Sequence, residues 1–283
     1  MDIVKGTARI GGQTVSYRRA GQGAPVLLLH CSSSHSGQWR ALMEAAGDRY
    51  DFIAPDLLGY GGSGVPHRGV PVAPVQDATA IAGLLDHLGI RGPVQLVGHS
   101  MGGVVASHLI RDHGARFQSL TVIEPVLFGL LEELDAPEKI EHLEITARLF
   151  VELHLGRPDA AAESFIDFWS GPGAYAAMEP RIRDYALSTI GRVADDFAAC
   201  GAAVPGSMSR AALAGFDLPT LVLCGEATRP AARLVAETVA ATIPGARLQI
   251  LPDAQHLAAA QTPDRVNPAL LAFLDGQRLP TSP

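Results

Sequence analysis

Residues 98–103 read Gly98-His99-Ser100-Met101-Gly102-Gly103 and follow the apolar run Val94-Gln95-Leu96-Val97. A helical pattern comes next, so the order is strand, Gly-x-Ser-x-Gly turn and helix. The glycines of so tight a turn relieve the crowding that a Cβ would create, and the turn pushes the serine hydroxyl out over the edge of the sheet. At a helix N-terminus the serine also meets free backbone N–H groups, which favour developing negative charge. We therefore predict that Ser100 is a nucleophile.

Short apolar runs alternate with helical patterns on both sides of this turn. Five runs are almost continuously apolar, as expected for strands of a parallel sheet that helices cover on both faces. They are Val26–Leu29, Phe52–Ala54, Val94–Val97, Leu120–Ile123 and Leu221–Cys224. Before them, Ile3–Ile10 and Thr14–Arg19 flank two glycines and predict an antiparallel hairpin. With helical patterns over Val75–Leu88 and Val104–His113, the alternation predicts an α/β fold with a doubly wound, mostly parallel sheet.

One long interval, residues 125–214, interrupts this alternation, because it is helical in pattern and supplies no convincing core strand. We predict a helical cap inserted after the sixth strand, with residues 1–124 and 215–283 forming the core. The interval is rich in aromatic residues, most of which we expect in its own small core and a minority in a pocket. The residues that we predict to contact substrate are Phe128, Phe168 and Trp169 of the cap and Cys31 and Trp39 of the core.

Composition limits the partners of the chain. Its 283 residues carry a net charge of −7 and no basic run, which argues against nucleic acid and an anionic membrane surface. The start, Met1–Lys5, lacks the features of a secretory signal, and no apolar stretch has the length of a membrane span, so we expect a cytoplasmic protein. Cys31, Cys200 and Cys224 are scattered, without zinc-site or disulfide spacing. We expect free thiols, no metal, no cofactor and a small-molecule substrate.

Three further stretches extend the pattern of the serine turn. Leu28-Leu29-His30-Cys31-Ser32 ends the third strand, Pro55–Ser63 follows the fourth, and Pro252-Asp253-Ala254-Gln255-His256 follows the last strand, Arg247–Leu251. In order and spacing, these stretches and the serine turn resemble the oxyanion loop, the turn after the fourth strand, the histidine loop and the nucleophile turn of the α/β-hydrolase family. The resemblance covers nearly the whole chain and implies a capped hydrolase with a serine nucleophile.

The resemblance also implies roles for individual residues. His256 would be the general base, and His30 and His99 would be structural hydrogen-bonding residues. The backbone N–H groups of Met101 and Ser32 would form the oxyanion hole. Here the chain departs from the family pattern, because Cys31 replaces the usual glycine and puts a thiol beside the site. A catalytic role for Cys31 is the weaker alternative, since Ser100 occupies the nucleophile turn.

The acid expected to complete a catalytic triad with Ser100 and His256 is missing from its usual position in the family. Most family members carry it in a Gly-x-x-Asp frame after the strand Leu221–Cys224, and this chain has Thr228 at that position. We predict that Glu124, at the end of the preceding strand, is the acid, because some α/β-hydrolases place it there and a buried carboxylate needs a partner such as the His256 imidazole. Glu226, two residues before Thr228, is the alternative, and a dyad without an acid is another.

These residues predict hydrolysis of a carboxylic ester, or a lactone, through an acyl-enzyme intermediate. A serine nucleophile disfavours the dehalogenase and epoxide hydrolase chemistry of relatives. Carbon–carbon bond hydrolysis of a diketone or dienol acid uses the same triad and would need a cation-lined pocket, which Arg181, Arg183 and Arg192 leave open. A function of another class, a non-hydrolytic ligand receptor or interaction module, is disfavoured by the intact Ser100 and His256.

Overall fold

A computed structural model of the chain describes residues 2–67, 73–202, 204 and 207–277. Within these residues, eight strands form one sheet in the order β1-β2-β4-β3-β5-β6-β7-β8. The strands are β1 Val4–Ile10, β2 Gln13–Ala20, β3 Ala24–Leu29, β4 Tyr50–Pro55, β5 Val94–His99, β6 Phe117–Ile123, β7 Thr220–Gly225 and β8 Arg247–Leu251. Every strand expected from the sequence is present, and the bounds differ by only a few residues.

The sheet is parallel except at one edge. β1 and β2 form the predicted antiparallel hairpin, and β2 also pairs antiparallel with β4. All other neighbouring strands are parallel. Every residue of β4, β5 and β7 is buried, because helices cover both faces of the sheet. The prediction of a doubly wound, mostly parallel sheet is therefore confirmed.

Helices follow most of the strands. The α-helices of the described residues are α1 Arg40–Ala46, α2 Ala73–His87, α3 Met101–His113, α4 Gly129–Glu133, α5 Lys139–His154, α6 Pro158–Ser170, α7 Ala174–Ala177, α8 Pro180–Ala199, α9 Arg210–Ala214, α10 Pro230–Thr242, α11 Ala258–Gln261 and α12 Pro263–Gly276. None of these helices has the length and apolar character needed to cross a lipid bilayer.

Alternate residues of the strands face opposite layers, as the period of two requires. In β3, Leu27 and Leu29 join the apolar core under α2, α3 and α10, whereas Val26 and Leu28 join the core under α1 and α12. Each face of the sheet therefore packs against its own apolar layer. The polar groups of the site lie at the ends of the strands.

The interval between β6 and β7 contains the helices α4 to α9, which we call the helical insertion. Its side chains Leu149, Phe165, Val193 and Phe197 belong to the same continuous apolar cluster as α2, α3 and α10. The insertion therefore packs on the rest of the molecule instead of standing apart from it. The division into a core and a cap at residues 125 and 214 stays a prediction.

The carboxyl ends of four neighbouring strands meet at one edge of the sheet. His99 of β5 lies beside Ile123 of β6, Ile123 lies beside Leu223 of β7, and Gly225 lies beside Leu251 of β8. The residues that follow these strands are therefore close together although they are far apart in sequence. Crevices at such edges are where α/β sheets bind their ligands.

Candidate active site

The serine turn is as tight as its sequence predicts. Ser100 has φ 54° and ψ −116°, a conformation that side chains rarely adopt and that stores strain. A Cβ at position 98 would clash with the Gly102 carbonyl, and a Cβ at position 102 would clash with the Leu29 carbonyl, so both positions require glycine. The N–H of Ser100 donates to the Ile123 carbonyl at 2.9 Å, which ties the turn to β6. Ser100 is the residue before α3, so its hydroxyl lies at a helix N-terminus.

The imidazole of His256 joins Ser100 to Glu124. Its Nε2 lies 2.9 Å from the Ser100 Oγ, and its Nδ1 lies 2.7 Å from a Glu124 carboxylate oxygen. A carboxylate can only accept, so Nδ1 carries the proton and Nε2 is left to accept from the serine hydroxyl. His99 adds a contact between its Nε2 and the His256 carbonyl at 2.8 Å, which supports the histidine loop. This chain of hydrogen bonds is the arrangement that activates a serine for nucleophilic attack.

Glu124 is buried and surrounded by donors. Besides His256, the Thr228 hydroxyl donates to it at 2.6 Å and the Gly225 N–H donates at 2.8 Å. Burial by itself raises the pKa of Glu124, but the hydrogen bond and charge interaction with His256, aided by Thr228 and Gly225, lower that pKa below its ordinary value. Glu124 is therefore ionised at neutral pH.

Thr228 explains how the position of the usual acid is filled. Its hydroxyl reaches the Glu124 carboxylate that has come from the neighbouring strand, so a donor stands where most family members have an acceptor. Gly225 contributes by its lack of a side chain, because a Cβ there would clash with the Ala254 carbonyl and crowd Glu124. The sequence contained both residues but gave no signal that they serve Glu124.

Glu226, the alternative acid, lies elsewhere. It is exposed, and its carboxylate accepts from the Asp253 N–H at 3.3 Å. The structure thus brings Glu124, and not Glu226, to the histidine, and it offers no support for a dyad without an acid.

The two proposed oxyanion donors, Ser32 and Met101, border the same cavity as Ser100. Their backbone N–H groups donate to no other group in the described part of the chain. The carbonyl of the Cys31–Ser32 peptide unit lies 2.7 Å from the His30 Nδ1, and the His30 Nε2 accepts from the Leu57 N–H at 2.9 Å. Because the C=O and N–H of a trans peptide point in opposite directions, this bond turns the Ser32 N–H away from His30. His30 is a structural hydrogen-bonding residue, as the sequence predicts.

The cavity beside Ser100 is small and apolar. The apolar side chains that line it are Val126, Phe128, Phe165, Trp169, Phe197 and Leu257. The centre of a water molecule can move through only ≈ 10 Å³ of it, about the room that one water needs. Sequence reasoning selected Phe128 and Trp169 but missed Phe165 and Phe197. The insertion therefore leaves little more than the room of one water molecule beside Ser100.

Trp169 makes a contact that no motif in the sequence predicts. Its indole ring stacks on the His256 imidazole with ring centroids 3.5 Å apart and planes 15° from parallel. Stacking on the flat indole face fixes the plane of the histidine ring. Trp169 therefore borders both the cavity and the proposed general base.

Two of the residues predicted to contact substrate lie outside the cavity lining. Trp39 is buried in the core under α1 and α12, against the opposite face of the sheet from the helical insertion. Phe168 is half-buried and packs edge-on against Trp169 without joining the cavity lining, and the Arg229 guanidinium lies 4.1 Å from its ring centre. A helix turns its neighbouring positions to different sides, so the adjacent Trp169 points inward where Phe168 does not. The prediction of substrate contact at Trp39 and Phe168 finds no support in this arrangement.

Two thiols, Cys31 and Cys200, border the cavity. Burial raises the pKa of Cys31 to about 12 and raises that of Cys200 well above its ordinary value, so both are protonated at neutral pH. A protonated thiol is a poor nucleophile, which favours Ser100 over Cys31. Among the described residues, no group of three or more His, Cys, Asp or Glu side chains is arranged to hold a metal ion.

Comparison with known proteins agrees with this geometry. The family model described as the alpha/beta hydrolase family matches residues 26–269. The chain belongs to this family. Membership supports a hydrolase function, and the crystal structure of a hydrolase from Pseudomonas aeruginosa matches with a TM-score of 0.77 and 25% identity over 95% of this chain and 98% of that one.

Individual relatives of this alpha/beta hydrolase differ in their chemistry. A cis-3-alkyl-4-alkyloxetan-2-one decarboxylase from Xanthomonas campestris is 33% identical over 137 residues, 46% of each chain. A putative non-heme chloroperoxidase from Synechocystis is 28% identical over 270 residues, 92% of this chain and 94% of that protein. The solved structure of a thermophilic esterase from Thermogutta terrifontis has a TM-score of 0.74 and 28% identity, covering 99% of this chain and 100% of that one. The matches to the first three curated relatives span only 46%, 54% and 32% of those proteins.

Proposed function

We propose that this protein is a serine hydrolase that cleaves a small-molecule carboxylic ester or lactone through an acyl-enzyme intermediate. The observation that carries the proposal is the chain of hydrogen bonds from the Ser100 hydroxyl through His256 to Glu124, with distances of 2.9 and 2.7 Å. A serine at the head of such a chain attacks carbonyl carbon, whereas the ring-opening of epoxides in this fold needs a carboxylate nucleophile.

The mechanism assigns one task to each group. His256 Nε2 takes the proton of Ser100 as Oγ attacks the carbonyl carbon, and the N–H groups of Met101 and Ser32 stabilise the oxyanion. The imidazolium then donates its proton to the leaving alcohol oxygen, which leaves an acyl ester on Ser100. A water molecule, deprotonated by His256, attacks that ester, and the imidazolium returns the proton to Ser100 Oγ as the acid is released. Glu124 holds the imidazole in its reactive tautomer and stabilises its charge.

The cavity favours an uncharged, apolar acyl group. Its described lining is aromatic and aliphatic around Ser100 and contains no arginine or lysine. None of the three arginines that left carbon–carbon hydrolysis open, Arg181, Arg183 and Arg192, belongs to this lining, and Arg192 is buried and paired with Asp77 and Asp196. Without a free cation for the carboxylate of a dienol acid, ester or lactone hydrolysis is the better-supported reaction. The esterase among the relatives is consistent with this choice.

We further propose that the helical insertion acts as a cap. The nearly filled cavity and the stacking of Trp169 on His256 describe a closed form. Substrate entry then requires the insertion to lift, and closure excludes water during acylation. The alternative of a ligand receptor without turnover would use the same cavity, so it is an outcome of the following experiment.

Turnover of p-nitrophenyl esters of increasing acyl length, beside lactones and vinylogous diketones, tests the proposal. We expect hydrolysis of short, apolar esters and a single fluorophosphonate adduct, located on Ser100 by mass spectrometry. Ser100→Ala should remove essentially all turnover and all labelling. An adduct on Cys31 would overturn the choice of nucleophile, a preference for diketones would support the carbon–carbon alternative, and ligand binding without turnover or labelling would support the receptor.

A further inference from the structure

A buried ionic cluster lies between the helical insertion and the rest of the protein. Arg192 of α8 forms ion pairs with Asp196 on the same helix and, at 3.0 Å, with Asp77 of α2. Its Nε donates to the Leu58 carbonyl at 2.9 Å, and the Leu58 N–H donates to Asp77 at 2.6 Å. The three charged side chains are 7%, 0% and 1% exposed, in the order Arg192, Asp196, Asp77.

Asp196 extends this cluster to the oxyanion loop. Its Oδ1 takes the ion pair with Arg192, and its Oδ2 accepts from the Ser32 hydroxyl at 2.6 Å and from the Tyr60 hydroxyl at 2.6 Å. Ser32 is 164 residues away in sequence and supplies one of the two proposed oxyanion donors. A carboxylate of the insertion therefore holds the side chain of a residue whose backbone N–H is a proposed oxyanion donor.

The cluster is a costly way to hold two elements together. Burying charged groups carries a large desolvation penalty, and apolar packing of similar volume is often as stable or more stable. Two carboxylates here share one guanidinium, which leaves their charge incompletely balanced. Such groups are kept where a defined position is needed, and what they define here is the place of Ser32 relative to α8.

Ser32 is thus held from two directions. His30 orients the carbonyl of the peptide unit that contains the Ser32 N–H, and Asp196 holds the Ser32 side chain. The His30 contact lies within the core and persists wherever the insertion stands. The Asp196 contact exists only while α8 is packed against the loop.

From this difference we propose that Asp196 is a positioning residue that completes the oxyanion hole when the helical insertion closes. The inference rests on the proposed function, because it assigns a support to one of the oxyanion donors. In the closed form Asp196 fixes Ser32 and with it the second donor. When the insertion lifts, Ser32 loses this contact and the oxyanion hole loses its defined geometry, so bond cleavage is confined to the covered, water-poor cavity.

Two substitutions and one control test the inference. Asp196→Asn removes the charge and leaves an amide that accepts through only one oxygen, and Ser32→Ala removes the hydroxyl but keeps the N–H. Each should lower kcat about 10- to 100-fold with little change in KM, less than the loss of about 10² to 10³ that follows removal of an oxyanion donor itself. The control Asp195→Asn alters an exposed carboxylate on the same helix and should behave as the wild type.

The two substitutions act on one contact, so their effects should not add. The double variant should lose about as much kcat as either single variant, and Ser32→Thr, which keeps the hydroxyl, should retain most of the activity. The same variants should bind a boronic acid, which mimics the tetrahedral intermediate, more weakly by a similar factor. A support of folding alone would lower the melting temperature without weakening boronate binding.

The outcomes separate this inference from the proposed function. If wild-type Ser100 reacts with a fluorophosphonate but Ser32→Ala reacts and turns over at the same rate, Asp196 does not position the donor, and the hydrolase proposal stands. A rise in KM at constant kcat in Asp196→Asn would also overturn the positioning role. If Asp196→Asn does not fold, Ser32→Ala and Ser32→Thr decide alone. A wild-type protein that neither reacts nor turns over would overturn the proposed function itself.

Discussion

Glu124 and Asp77 are both buried carboxylates, and each is 1% exposed. Burial raises the pKa of Asp77 to about 7, although Arg192 and the Leu58 N–H oppose the rise. It acts on Glu124 as well, yet the pKa of Glu124 ends below its ordinary value. Burial raises the pKa at both sites, so another factor decides whether the pKa ends above or below its ordinary value.

The difference lies in how many donors each carboxylate has to itself. Glu124 receives hydrogen bonds from His256, Thr228 and Gly225, with no second acid beside it. Asp77 shares the Arg192 guanidinium with Asp196, whose negative charge raises the pKa of Asp77 further. A carboxylate with three donors stays ionised and can stabilise an imidazolium, whereas Asp77, which shares one cation with a second acid, has its pKa raised.

Glu124→Gln should give the largest effect. The change keeps the shape but removes the charge and allows the amide to present the wrong group to Nδ1, so the tautomer and the imidazolium both lose support. Loss of the analogous acid in the best-studied triad costs on the order of 10⁴ in kcat. Steady-state kinetics with the best ester of the panel measure it.

Glu226→Gln is the matched control, because it changes a glutamate four residues before Pro230 that does not reach the histidine. It should be nearly silent. Near-wild-type activity in Glu124→Gln together with a large loss in Glu226→Gln would show that the acid belongs to the loop after β7.

A carboxylate restored at the commoner position should recover part of the loss. In the double variant Glu124→Gln with Thr228→Asp, the new acid follows β7, the strand next to β6. It can approach the imidazole, because the Thr228 hydroxyl already lies 2.6 Å from the Glu124 carboxylate oxygen that contacts His256. We expect kcat to rise about 10- to 100-fold above Glu124→Gln, within the loss of about 10⁴ assigned to the acid. Thr228→Asp alone should impair the enzyme, because it sets two acids side by side. No recovery would mean that the geometry accepts the acid from β6 only.

Trp169→Phe tests the indole ring that stacks on His256, the histidine that contacts Glu124. The smaller ring enlarges the cavity, so the preferred acyl chain should lengthen, with a shift of about tenfold in the ratio of kcat/KM for longer against shorter esters. Phe168→Leu changes the adjacent residue, which lies outside the cavity, and should leave the ratio unchanged. Equal shifts from both variants would indicate that the helix moves as a whole and that neither side chain selects the substrate.

The smallest effects should be opposite pH dependences of stability. Glu124 has a lowered pKa, so its contribution to the free energy of unfolding is complete above the ordinary carboxyl range and is lost as pH falls through that lowered pKa. Asp77 has a raised pKa, so its contribution is complete below about pH 4 and is lost as pH rises through about 7. The charged groups that act on Asp77 are Arg192 and Asp196.

Urea unfolding at several pH values measures both effects. Glu124→Gln should be less stable than wild type at neutral pH, and this difference should shrink as the pH falls. Asp77→Asn should gain stability relative to wild type as the pH rises from 4 to 7. Parallel curves for the two variants would contradict the contrast between the sites.

The parts of the site that follow from local pattern were predictable. Apolar runs predicted the strands, and the Gly-x-Ser-x-Gly turn between β5 and α3 predicted the strained Ser100, because a tight strand-to-helix turn imposes its own residue types. His256 and Glu124 were predicted from the resemblance to the α/β-hydrolase family, and Glu124 was preferred because some members place the acid on this strand and a buried carboxylate needs a partner. Trp39 and Phe168 lie outside the cavity lining, because residue type does not say which face of an element a side chain occupies.

The sequence by itself determined the strand and helix pattern, the serine turn and the residue types of the acid and base, since these depend on periodicity and on turns of a few residues. Only the tertiary structure decided that Glu124 meets His256 from 132 residues away, that Thr228 serves that carboxylate, and that Trp169 covers the imidazole. It also decided that Asp196 reaches Ser32. The physical reason is that such contacts depend on which strand ends lie side by side and on how the insertion packs over them, and neither is encoded in any local stretch.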